Sequence, residues 1–157
     1  MGDIIDHLIA REGGAVNDPV DAGGRTDKGI SERSHPEAWS DGKVTYEEAR
    51  AIYEAKYLIG PGFNRISVPY LREHLVDFGV HSGPVVAIQK LQSILKIPVD
   101  GILGTRTLEA LSGSPSMVVN NLLVAERIKL IGRIVSKAPA QVRFLNGWLN
   151  RALEFLV

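Results

Sequence analysis

Glu12, Asp21 and Thr26 follow one another at intervals of nine and five residues in a glycine-rich stretch. It reads Glu12-Gly13-Gly14-Ala15-Val16-Asn17-Asp18-Pro19, then Asp21-Ala22-Gly23-Gly24-Arg25-Thr26, then Gly29-Ile30. A protonated acid beside an ionised carboxylate is the pair that cleavage of a glycosidic bond requires. One protonates the leaving oxygen, and the other directs water or steadies an oxocarbenium-like transition state.

The elements that must position these groups can be read around them. Ile4, Ile5, Leu8 and Ile9 repeat at helical spacing, and Glu12 continues that face. Asp3 suits the N-cap, and Gly13 and Gly14 suit the C-terminal end. Glu12 is therefore expected in the last turn, directed toward the apolar side. There desolvation and the negative end of the helix dipole both disfavour the anion, which suits a general acid. A glutamate at a helix end can equally be solvated, or paired with Arg11 or Arg25. The loop that follows decides for chemistry. It has no apolar run, and Asn17-Asp18-Pro19 and Ala22-Gly23-Gly24 are turn signals. A chain leaving a helix can fold back over nine residues and set Asp21 opposite Glu12, with Asp18 as its rival. Glycines such as Gly24 allow the backbone to approach a sugar closely, and Asn17 and Asp18 join it as expected substrate contacts. Asn17, Asp18, Asp21 and Asp27 also offer oxygen ligands to calcium, but the spacing is not that of an EF-hand. The four histidines show no metal spacing, and neither a metal nor a cofactor is expected.

The string E-G-G-x-x-N-D-P-x-D-x-G-G-x-T-x-x-G-I resembles the N-terminal signature of glycoside hydrolase family 108, which includes phage endolysins with lysozyme-type activity. It departs from the family pattern at Ala15, where an aromatic is usual. The resemblance implies Glu12 as general acid, Asp21 as second carboxylate and Thr26 as a residue that places the attacking water. A second stretch, Asp77-Phe78-Gly79-Val80-His81-Ser82-Gly83-Pro84 through Asp100-Gly101-Ile102-Leu103-Gly104-Thr105-Arg106-Thr107, resembles the peptidoglycan-binding region that follows in the same family, with His81 where Asn is usual. Phe144-Leu145-Asn146-Gly147-Trp148 also looks like family sequence.

The resemblance implies a mainly helical, lysozyme-like fold: a small β-hairpin or loop beside the catalytic Glu, and two lobes around a glycan cleft. It implies a muramidase cutting β-1,4 bonds between N-acetylmuramic acid and N-acetylglucosamine for phage-induced host lysis. A lytic transglycosylase is the alternative within enzymes, and a wall-binding or secretion-assisting protein the alternative outside them. Residues 1–65 are expected to form the catalytic segment, with 66–157 packed on it as one compact unit. The expected partner is the peptidoglycan glycan strand, with no nucleic acid and a monomeric state. No stretch approaches 18 uninterrupted apolar residues, and no cleavable signal is visible. Synthesis in a host cytoplasm, with release to the wall by a holin, is the matching expectation.

The chain has 157 residues, no cysteine and a formal net charge of zero. The charge divides unevenly. Residues 1–75 hold nine Lys/Arg and thirteen Asp/Glu, net −4, and residues 76–157 hold nine and five, net +4. A basic second half favours an anionic surface. Thr45 and Glu48 form a capping box for a helix to about Leu58, stopped by Gly60-Pro61-Gly62. Further helices are expected over Ser67 to Phe78, Pro84 to Leu95, Thr105 to Leu111, Met117 to Val135 and Pro139 to Phe155, with a short hairpin around 15–31. Tyr46, Tyr53 and Tyr57 share a face that reads as core with hydroxyls at its edge. Trp39 lies in a polar stretch, where an exposed indole would stack on a sugar, and His81 and Ser82 are expected near the substrate. Phe144, Trp148, Ala152 and Phe155 form a stripe that reads as core closure.

Overall fold

The structure is a computed structural model that describes residues 3–13 and 25–157. It is mainly helical with one small antiparallel hairpin, and it divides into two compact units, 1–60 and 61–157.

In the first unit, α1 (Ile4–Glu12) buries Ile4, Ile5, Leu8 and Ile9, the stripe expected from their spacing. Its start is over-determined. Asp3 accepts from the Ile5 N–H and Asp6 accepts from the Asp3 N–H, which closes a capping box. Arg50 then ties the two acids from the next helix, reaching Asp3 at 2.6 Å and also bonding Asp6. The Tyr46 hydroxyl donates to Asp6 as well, so this tyrosine stands exposed at the edge of its helix. That helix, α2 (Tyr46–Tyr53), opens on the predicted box: Thr45 accepts from the Glu48 N–H, and Glu48 accepts from the Thr45 N–H at 2.8 Å. The helix does not stay α-helical to Leu58. It widens into a π-helical stretch over Glu54–Ile59, closed by the Gly60 N–H donating to the Ala55 carbonyl at 2.9 Å. A Cβ on Gly60 would lie 2.7 Å from that oxygen, so only glycine closes the turn without displacement.

The hairpin joins β1 (Thr26–Asp27) to β2 (Ile30–Ser31), with Thr26 opposite Ser31 and Asp27 opposite Ile30. Lys28 and Gly29 form the two-residue loop, with φ of 49° and 76°. Positive φ at both positions is the type I′ arrangement whose twist matches the strands. Lys28 carries a side chain in that unfavourable region, and its ammonium offsets the cost by bonding Asp27 at 3.0 Å and the Val44 carbonyl at 2.8 Å. Among the described residues the hairpin occupies the end of the predicted 15–31 range. Residues 14–24 lie outside those described.

The second unit holds α3 (Pro69–Ser82), α4 (Pro84–Ile94), α5 (Thr105–Ser112), α6 (Ser116–Lys137) and α7 (Leu145–Leu153). α3 runs past the expected end at Phe78 because Gly79 stays inside the helix, close against Phe63 and Pro84. The expected last helix divides: Pro139–Phe144 is 3₁₀, and only then does α7 begin. The Asp-Gly element is the tight turn its residues suggest, and buried Gln92 holds it. The Gln92 amide donates to Asp100 at 2.7 Å and to the Ile102 carbonyl at 3.0 Å, while its oxygen accepts from the Asp100 and Gly101 N–H groups.

Two buried polar clusters organise this unit. Asp77 sits between Arg127 at 2.6 Å and Arg151 at 2.8 Å, with Asp77 and Arg127 almost fully buried. His74 is fully buried, stacks on Phe155 with centroids 4.7 Å apart, and meets Asn120 at 3.0 Å. Ala152 is buried and Phe155 packs on His74, whereas Phe144 of the expected stripe is exposed and Trp148 half-buried, so only part of that stripe closes the core. Burial, assisted by the charge of Arg127, pushes the His74 imidazole down to about 4, against the Asn120 hydrogen bond. A base with a depressed folded pKa is neutral in both states above its ordinary value near 6.5. Below that value the unfolded chain alone takes the proton, so stability falls as pH drops toward 4. The loss is about 3 kcal/mol when complete. Urea denaturation at pH 7 and pH 4.5 should show it, with a shallower fall in His74→Gln. An undiminished fall in that variant would assign it to another group.

Candidate active site

Glu12 is the last residue of α1, and the chain turns away at Gly13 with φ of 76°. The residue is exposed, which corrects the expectation of an acid directed into the apolar side. The reason is local. Ile5, Leu8 and Ile9 use up the buried stretch of the face, and the glutamate falls one turn beyond it.

The stem of Glu12 does have a seat, which is the loop of the hairpin. A Cβ placed on Gly29 would come 3.1 Å from both Cβ and Cγ of Glu12 and would overlap the Tyr53 hydroxyl. Tyr53 is buried in α2, and its O–H donates to the Lys28 carbonyl at 3.2 Å. The type I′ loop is therefore held from below by α2 and presses its bare glycine against the glutamate. Glu12 at the end of α1 thus meets Gly29 at the hairpin tip, and Thr26 starts β1 of the same hairpin. A cavity of about 70 Å³ opens at the same loop, lined in part by Ser31, His35, Tyr53, Lys56 and Tyr57. It has the size of a site for ordered water rather than for a saccharide. Gly29→Ala should displace this loop and lower activity at least about tenfold, because misplacement of a catalytic group by about 1 Å costs up to a hundredfold. Comparing wall-clearing rates checks this, and an alanine variant with the parent's rate would show that the close seat is dispensable.

The other predicted site residues distribute as follows. Asn17, Asp18, Asp21 and Gly24 lie outside the described residues. Trp39 is not the exposed stacking platform expected. It is 7% exposed, its indole N–H donates to the Ile30 carbonyl at 3.2 Å, and the Arg25 guanidinium lies 4.9 Å from its ring centre. Arg25 is fixed over the ring by a two-point bond to Glu32 at 2.7 and 2.9 Å. Trp39 is thus a prop beneath the hairpin. His81 and Ser82 end α3 in the second unit, bonded to each other at 3.1 Å, with Trp148 edge-on to the His81 ring. Burial, then the charges of Arg127 and Arg151, push His81 down to about 4, so it is neutral at pH 7. The residues that sequence reasoning missed are Tyr53 as the support of the loop and Gly29 as the seat of the glutamate. The Gly-Ile pair after Thr26 was their visible trace.

Comparison with known proteins identifies the family. The family model described as Glycosyl hydrolase 108 matches residues 5–83, and the one described as Predicted Peptidoglycan domain matches residues 86–153. The first match runs past the first structural unit and through α3. Among curated proteins none matches. Among solved structures the chain is similar to one titled "Structure of Brucella abortus SagA", at 27% identity and a TM-score of 0.70, covering 96% of this chain and 92% of that one. With half the chain matched by the hydrolase family and nearly all the rest by its peptidoglycan companion, the protein belongs to glycosyl hydrolase family 108 and is a peptidoglycan-degrading enzyme.

Proposed function

We propose that the chain is a muramidase that hydrolyses β-1,4 bonds between N-acetylmuramic acid and N-acetylglucosamine. Glu12 protonates the leaving oxygen, Asp21 orients water or steadies the oxocarbenium-like charge, and Thr26 helps place the water. The observation that carries the reading is the seating of Glu12 on Gly29. An exposed glutamate whose stem lies against a type I′ loop is accessible to a polymeric substrate. Asn17, Asp18, Gly24, His81 and Ser82 are the substrate contacts of this reading. A role in phage-induced host lysis, with access through a holin, rests on the likeness of the N-terminal string to phage endolysins. It predicts that the protein expressed inside bacteria lyses them only when a holin is co-expressed.

Loss of turbidity of purified wall tests the activity itself, and wall that is bound without clearing would leave only a binding protein. The carboxylates can be separated in the same assay. Asp21→Asn should lower the rate more than Asp18→Asn, and Thr26→Val should fall between the parent and Asp21→Asn. A mild Asp21→Asn beside a severe Asp18→Asn would transfer the second role to Asp18.

A further inference from the structure

The second unit contains a cavity of about 370 Å³ that lies between the segment leading into α3 and the junction of α5 with α6. Its walls include Arg65, Ser67, Leu108, Leu111, Ser112 and Ser116. The volume falls within the range of small-ligand sites, roughly 300–1,000 Å³. Three properties narrow what it would take. Arg65 is the single charged residue among those lining it, so the cavity has a cationic wall and no carboxylate. Arg65 is also anchored, with one terminal N–H donating to the Leu103 carbonyl, and this limits the entropy lost when its remaining donors bind. Next, three serines, Ser67, Ser112 and Ser116, line it beside aliphatic residues, among which Leu111 is buried. Finally, none of the described residues that line it is aromatic, so these walls offer a sugar no face to stack on. Residues 61–157 carry eleven Lys/Arg against six Asp/Glu, a surplus that also favours an anionic ligand.

We propose that this cavity binds the carboxylate end of a peptidoglycan stem peptide, with the carboxylate at Arg65 and the serines and the alanyl methyl groups on Leu108 and Leu111. A short alanine-terminated peptide matches each part: one anion, peptide groups that exchange hydrogen bonds with hydroxyls, and small apolar side chains. The proposal rests on the reading that the enzyme acts on peptidoglycan. It adds which component of the polymer the second unit holds, and where.

The test uses the full chain and three probes: acetyl-lysyl-D-alanyl-D-alanine, the same peptide with its C-terminus amidated, and a peptide-free N-acetylglucosamine tetramer. Titration followed by amide chemical shifts should move Ser67, Leu108, Leu111 and Ser112 with the acid peptide. The amidated peptide should bind at least about tenfold more weakly, the scale of one lost charge-assisted hydrogen bond. Arg65→Gln should weaken the acid peptide to a similar degree. Because that change also removes the tie to Leu103, Ser112→Asp is the second variant; it places a repelling charge at an exposed helix end and should weaken the acid peptide selectively. Equal binding of acid and amide, shifts that map elsewhere, or absence of peptide binding would overturn the proposal. If the same preparation clears wall, only this site falls; if it neither clears wall nor binds peptide, the functional reading falls with it.

Discussion

Glu12→Gln is expected to lower the rate of wall clearing by at least about a hundredfold while leaving folding intact. The magnitude is the lower end of what a positioned general acid contributes. The structure separates the two effects cleanly. Glu12 is exposed at the last residue of α1, so an isosteric amide there opens no cavity and buries no unpaired charge, and the fold should survive it. Its stem still rests on Gly29, and the amide differs only in having no proton to give. Turbidity assays read the rate, and urea denaturation reads the stability. A glutamine variant that clears wall within a few-fold of the parent would remove Glu12 from the acid role. A variant that unfolds would show that the carboxylate is structural.

The largest expected loss of stability comes from Asp77→Ala. Asp77 bridges Arg127 and Arg151, and the pair with Arg127 is almost completely dry. Removing one member of such a cluster leaves buried cationic charge uncompensated, which costs about 3–5 kcal/mol. Burial alone would raise the Asp77 carboxyl, but Arg151 and Arg127 overcome it and hold the group below its ordinary value of 3.8. A carboxylate with a depressed folded pKa contributes stability that is complete above its unfolded pKa, near 4, and is lost as pH falls through the folded value. The parent should therefore destabilise first between about pH 6.5 and 4, from His74 and His81, and again below 4 from Asp77. Denaturant midpoints across pH 2.5–7 measure both phases. A loss below 1 kcal/mol in Asp77→Ala at pH 7 would mean that the arginines reach solvent or another acid without difficulty.

What could be read from the residues was local, and what could not was set by partners far along the chain. The α1 stripe and the Thr45–Glu48 box each depend on groups within a few residues and form as their chemistry dictates, whereas the Asp100-Gly101 turn is also held by Gln92 from the preceding helix. The hairpin was legible only in outline, because Lys28 at positive φ carries no turn signal and is held by the Val44 carbonyl sixteen residues away. Trp39 was misjudged for a similar reason. Its polar neighbours in sequence suggested exposure, but Arg25 and Ile30 cover it from the hairpin. The salt bridges of Asp77 span 50 and 74 residues, and no spacing rule reaches that far. Of the candidate site, the place of Glu12 at a helix end was accessible, whereas its exposure and its seat on Gly29 depended on how α2 supports the hairpin.

Mass analysis of the fragments released from purified wall tests the central claim most directly. A muramidase with Glu12 as acid leaves hydrated products whose reducing end is N-acetylmuramic acid, and Glu12→Gln releases none above background. Reducing-end N-acetylglucosamine would place the cut at the other glycosidic bond. Anhydro-muramic ends would mean that no water is added and that the enzyme is a transglycosylase, which contradicts the hydrolytic role given to Asp21 and Thr26.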